Sequence, residues 1–238
     1  MNRLVISLLL SFLLFRETIA IENHNLQNEI IQCANSFLGA PYDQKPIGEY
    51  VDKKVIVYDD EVDCMYFVFR CTEIAIAKTN NLDPIEVAKT QRFKTLGIVE
   101  NTIVQNYDNR FDYAEDMTIS EKWGKNVSAT VGKISTIAGT RMHKTFEYVA
   151  KEDINYSTFQ NGDIIFFVKN PEKRVVDEII AHLGFVEVAN NQVYLIHASG
   201  AKRKVKEEKP TGEVKKVLLK EYLVDKTNFI GVVVKRLS

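Results

Sequence analysis

The chain has 238 residues, a length that fits one domain or one domain carrying a large insertion. Hydrophobic residues make up 45% and charged residues 26%, a balance that excludes a disordered chain. The formal net charge of −1 excludes the broad basic footprint of a nucleic-acid binder.

Residues 1–20 read as an export leader. Met1-Asn2-Arg3 supplies a positive start, Leu4 to Phe15 is apolar and uncharged, and Thr18-Ile19-Ala20 offers a cleavage site. The apolar stretch falls short of the ~20 residues a spanning helix needs, so no retained membrane segment is expected. The mature protein is expected to be exported, periplasmic or secreted, and to span 21–238 as a single catalytic domain.

Apolar residues at Leu26, Ile30, Ile31, Ala34, Phe37 and Leu38 predict a helix ended by Gly39 and Pro41. A β-like run, Lys54 to Tyr58, precedes the acidic segment Asp59 to Asp63. From Cys64 to Ala77 a second helix is predicted, with Cys64, Phe67, Val68, Cys71, Ile74 and Ala75 on one face. Asp63 stands at its N-cap, which places Cys64 in the first turn.

Residues of about 80–156, with weak helical patterning at Pro84 to Phe93, read as a long insertion of helices and loops. The pattern then changes to strands. Asn161-Gly162-Asp163 is a turn before Ile164 to Val168, and a polar loop from Lys169 to Glu178 leads into Leu183 to Val188. Asn190-Asn191 reverses the chain into Val193 to His197, and Phe229 to Val234 is the last strand. The mixed stretch from Lys202 to Lys209, which includes Glu207 and Glu208, reads as a solvated loop. Helices first and an antiparallel sheet afterwards make an α+β domain.

Cys64 is the candidate nucleophile, because a helix N-terminus favours the thiolate. Cys33 and Cys71 either bridge or serve as small buried apolar residues. Of the four histidines, His24 lies beside the leader and His143 in the polar insertion. His182 and His197 flank the predicted hairpin. A two-residue Asn190-Asn191 loop makes paired positions sum to 381, so His197 faces Gly184 and His182 faces Ser199. Both imidazoles then project from one face as diagonal neighbours ~7–8 Å apart, and Gly184 leaves room for His197. That suits a base held by an orienting group. Zinc is the weaker reading, since the chain lacks close-spaced ligand pairs, and no metal or cofactor is expected.

At these residues the chain resembles NlpC-type cell-wall hydrolases, which are papain-like. The resemblance rests on Phe37-Leu38-Gly39-Ala40-Pro41-Tyr42, Asp63-Cys64, Asn161-Gly162-Asp163-Ile164, His182 to Val186 and Ile196-His197-Ala198-Ser199. It is nearest to the AmiA-like branch of N-acetylmuramoyl-L-alanine amidases, through the long insertion, the block Asn109 to Asp116 and the ending, Val217 to Tyr222 followed by Gly231 and Arg236. It departs from that pattern at Met65, Tyr66 and Asp112.

The resemblance implies a monomeric cysteine amidase that cuts the lactyl–L-alanine amide of muropeptides, with 1,6-anhydro forms as substrates. Cys64 attacks, His182 shuttles the proton and His197 orients it. Tyr42 and the Cys64 backbone N–H are candidates for holding the oxyanion. Asp63 either binds a polar substrate group or only caps the helix. Arg110 either recognises a peptide carboxylate or pairs with Asp116, and Tyr113 belongs to the same substrate-binding block. The alternatives are a γ-D-glutamyl-L-diamino acid endopeptidase and a non-catalytic muropeptide-binding protein.

Overall fold

Apolar runs of the second half build most of one antiparallel sheet, described here from a computed structural model. The structure describes residues 25–141, 144–174, 177–205 and 208–238. The expected leader, His24 and His143 lie outside the described residues.

The helices are α1 (residues 25–36), α2 (Glu49–Asp52), α3 (Cys64–Asn80), α4 (Pro84–Gln91), α5 (Ala114–Ile119), α6 (Ser128–Val131) and α7 (Leu219–Asp225). The strands are β1 (Val99–Glu100), β2 (Ile103–Val104), β3 (Lys125–Asn126), β4 (Ile134–Ala138), β5 (Thr145–Ala150), β6 (Ile164–Lys169), β7 (Ile180–Ala189), β8 (Gln192–Ser199), β9 (Glu213–Leu218) and β10 (Phe229–Arg236). The main sheet runs β4-β5-β10-β6-β7-β8-β9, with β3 also paired to β10. Every pairing is antiparallel, so the domain is α+β.

The sheet carries a core on each face. Ile164, Phe166, Leu183, Phe185, Ile196 and Ala198 pack with α1 and α3. The intervening residues Ile165, Phe167, Val186 and Leu195 pack with Leu219 and Leu223 of α7 and with Phe229. Both faces of β6 and β7 are therefore buried, which is why these strands read as nearly continuous apolar runs. Helix α3 begins where predicted, with the Asp63 carboxylate accepting the Tyr66 N–H at 2.8 Å. Its burial exceeds the predicted face and includes Tyr66, Phe69 and Thr72.

The insertion differs from its sequence reading. Residues 134–138 and 145–150 are strands of the main sheet rather than helix and loop. β4 lies at the margin with no fully buried residue, so its sequence carries little apolar alternation. The other edge strand, β9, was also not legible: it carries Lys215 and Lys216, which blunt an exposed edge. The run Lys54 to Tyr58 is not a strand; Val55 makes one isolated bridge to Ile103, and the Ile56 carbonyl accepts from Arg92.

Candidate active site

The β7–β8 hairpin has the predicted register, with Phe185 opposite Ile196 and Val186 opposite Leu195. Asn190 and Asn191 both take positive φ, at 51° and 58°, as a two-residue hairpin loop requires. A Cβ on Gly184 would lie 3.0 Å from the Cβ of His197, so His197 stands opposite the glycine. The two imidazoles meet, with His182 Nε2 and His197 Nδ1 2.7 Å apart.

They project from the α7 side of the sheet into an aromatic seat. The His182 ring is stacked 6.5 Å from Phe229 and lies 5.7 Å from Phe167, while His197 meets the Tyr222 ring edge-on at 4.9 Å. His182 sits beside a register shift. Phe167 pairs with His182 but Val168 pairs with Ile180, which leaves Ala181 as an extra residue. Bulges of this kind re-aim the next side chain.

Cys64, the first residue of α3, is half-buried and shares one recess with His182. The recess is also lined by Met65, Asp112, Tyr113 and Glu178. Burial pushes the thiol up to about 12; the Asp63 charge adds to this, while Lys202 and the backbone N–H groups of Leu183 and Met65 oppose it. Burial likewise pushes His182 down to about 4, assisted by Lys226. His197 is pushed down further, to about 2, by burial and then by His182 itself. Burial therefore favours the uncharged forms of the thiol and of both imidazoles.

Tyr42 is buried next to this corner, and burial pushes its hydroxyl up, with the carboxylates of Asp63 and Asp43, and Cys64 whenever it is a thiolate, adding to this. Tyr113 is 43% exposed, with the Arg141 guanidinium 3.7 Å above its ring. Arg110 does not pair with Asp116. Its guanidinium holds Asp112 at 2.8 Å, because both leave the same short loop before α5, whereas Asp116 lies in the first turn of α5 and 3.8 Å from Arg141. The structure thus gathers Cys64, His182 and Tyr113 in the recess, with His197 behind and Tyr42 and Asp63 alongside. Arg110 and Asp116 are not among the recess residues.

Two further residues shape the site. Glu115 is fully buried; it accepts the Ile179 N–H at 3.1 Å and Arg141 Nη2 at 2.6 Å, which anchors the start of β7 to α5. Its signal was its place between Tyr113 and Asp116. Lys202 is only half-exposed rather than fully solvated as its stretch suggested: its Nζ donates to Asp63 Oδ2 at 2.8 Å. Only Gly200 and Ala201 separate it from Ser199 of the histidine strand, and no local pattern reports so distant a partner.

The fold is that of several solved structures. A Bacteroides uniformis N-acetylmuramoyl-L-alanine amidase superposes with a TM-score of 0.63 at 18% identity, covering 90% of this chain and 99% of that one. A provisionally assigned xylanase from Bacteroides fragilis gives 0.64 at 19%, covering 87% and 99%. A Legionella pneumophila protein carrying the DUF1460 family model gives 0.61 at 17%, covering 88% of each chain. No family model and no curated protein sequence matches the chain. At these identities the likeness is one of fold.

Proposed function

We propose that this chain is an exported, papain-like cysteine amidohydrolase of the NlpC type, nearest to the AmiA-like branch. It cleaves the lactyl–L-alanine amide of muropeptides, with 1,6-anhydro forms as preferred substrates. The observation that carries the reading is the 2.7 Å contact between His182 and His197 beside a thiol at a helix N-terminus. The Bacteroides uniformis amidase, matched over nearly its whole length, supports the choice of reaction.

In this reading Cys64 Sγ attacks the amide carbonyl as its proton passes to Nδ1 of His182. Nε2–H of His182 donates to His197 Nδ1, which selects the tautomer and steadies the imidazolium as it forms. Because burial favours the uncharged form of both partners, in this reading proton transfer accompanies attack rather than preceding it. The Tyr42 hydroxyl and the Cys64 N–H hold the developing oxyanion. His182 returns the proton to the departing L-alanyl amine, and water then hydrolyses the thioester. Tyr113 forms a wall of the substrate site, while Asp63, Arg110 and Asp116 serve its polar flank.

A glycosidase needs a carboxylic acid and a carboxylate flanking the bond. Here Asp112, Glu115 and Glu178 are each held by a cation, namely Arg110, Arg141 and Lys169. That favours the thiol reading over the activity assigned to the Bacteroides fragilis neighbour.

Mass spectrometry of products from an anhydro-muropeptide tests the proposal. The expected products are the intact stem peptide and the free disaccharide. A cut within the stem would replace the amidase reading by the endopeptidase one. Undiminished hydrolysis by Cys64→Ala would overturn the thiol mechanism.

A further inference from the structure

Residues 200–212 connect β8, which carries His197, to β9. This connection is fastened to the segment that precedes the nucleophile helix. Tyr42 N–H donates to the Gly212 carbonyl at 2.9 Å and Arg203 N–H to the Gln44 carbonyl at 2.7 Å. The Gln44 side-chain amide donates to the Lys209 carbonyl at 3.0 Å, and Thr211 Oγ1 bonds both the N–H and the carbonyl of Ala201. Gly200 lies against the Tyr42 ring so closely that a Cβ would come within 2.2 Å of it. These contacts deliver the Lys202 ammonium to Asp63 Oδ2 at 2.8 Å, with the Tyr42 ring 5.4 Å away.

Asp63 meets two opposed demands. As N-cap it is best ionised, because its Oδ1 accepts the Tyr66 N–H and its charge complements the positive end of α3. As the residue directly before Cys64, its charge opposes formation of a thiolate. The ion pair from the far loop reconciles the two.

We propose that Lys202 is a positioning residue of the reaction: it is the counter-charge that holds Asp63 in place as the cap of the nucleophile helix and offsets part of the opposition of the Asp63 carboxylate to a thiolate at Cys64. This rests on the thiol reading given above. The side chains that bear on Cys64 are Asp63 and Lys202 at the cap, Tyr42 beside it, Tyr222 from α7, and His182, Asp112, Glu115 and Glu178 around the recess. Lys226 acts on the histidines. Of these, Lys202 is the cation joined to the cap.

The test is the rate at which iodoacetamide alkylates Cys64 in the full chain, followed against pH by peptide mass mapping. It needs no substrate. Lys202→Met is expected to slow alkylation at neutral pH by about 5-fold or more and to move its pH profile upward. Lys202→Arg is expected to keep the wild-type profile. Adding Asp63→Asn to Lys202→Met is expected to restore the rate, since the asparagine carbonyl still accepts the Tyr66 N–H. Wild-type alkylation in Lys202→Met, or a double variant as slow as the single one, would overturn the proposal. Hydrolysis that survives complete alkylation of Cys64 would instead remove the thiol reading and leave the charge relation standing.

Discussion

A single methyl group at Gly184 should separate the two histidines. A Cβ there would stand 2.6 Å from the Ile196 carbonyl oxygen, 2.9 Å from Leu195 Cδ1 and 3.0 Å from His197 Cβ. The carbonyl belongs to the β7–β8 ladder and cannot swing away alone, so the strands must part by roughly 0.8 Å to reach ordinary contact. The His182–His197 contact, now 2.7 Å, would then open to about 3.5 Å, outside good hydrogen-bond geometry. Overpacking of this kind costs about 1–3 kcal/mol of stability. Loss of the oriented base should lower kcat/KM by about 100-fold, or ~2.7 kcal/mol. Gly184→Ala should therefore be measured twice, by urea unfolding and by kcat/KM on an anhydro-muropeptide under conditions where the variant is folded. Gly231→Ala is the control. Its Cβ would meet the Val149 carbonyl at 2.1 Å, in the β10–β5 pairing rather than in the histidine hairpin. It should lose stability while the folded protein keeps its activity. If folded Gly184→Ala turned over within about twofold of wild type, the requirement for a held histidine pair would be refuted.

Three other predictions follow from buried groups. Burial holds His182 near 4 and His197 near 2, below the ordinary value near 6.5, so the unfolded chain binds more protons from pH ~6.5 down to ~4 through His182 and on to ~2 through His197. That stabilising contribution is present above about 6.5 and lost as pH falls toward 4; urea midpoints should decline over this window, and less so in His182→Gln, with equal declines counting against the assignment. Arg92 and Glu73 form a fully buried pair at 2.6 and 2.8 Å, so Arg92→Met should cost about 3–5 kcal/mol in urea unfolding, and Glu73→Gln added to it should recover part of the loss. The Cys33 and Cys71 sulfurs lie 2.6 Å apart, so a disulfide-exchanging oxidant should remove two hydrogens from this pair alone, leaving Cys64 alkylatable and stability raised by about 3–4 kcal/mol; a mixed bridge involving Cys64 would contradict the geometry.

Local chemistry was enough for the elements that carry the proposed reaction. Asp63 followed by an apolar helical run specifies both α3 and its cap, because the cap bond spans only three residues. Asn190-Asn191 specifies the register of β7 on β8, and with it the meeting of His182 and His197, because a two-residue turn leaves no freedom to slip. The edge strands β4 and β9 were decided by pairing with neighbours, since edges bury little and show weak alternation. Tertiary structure alone decided the bulge at Ala181, the choice of Asp112 over Asp116 as partner of Arg110, and the arrival of Lys202 at Asp63. Lys202 and Asp63 are 139 residues apart, and a charge finds such a partner only once the packed sheet has brought the two segments together.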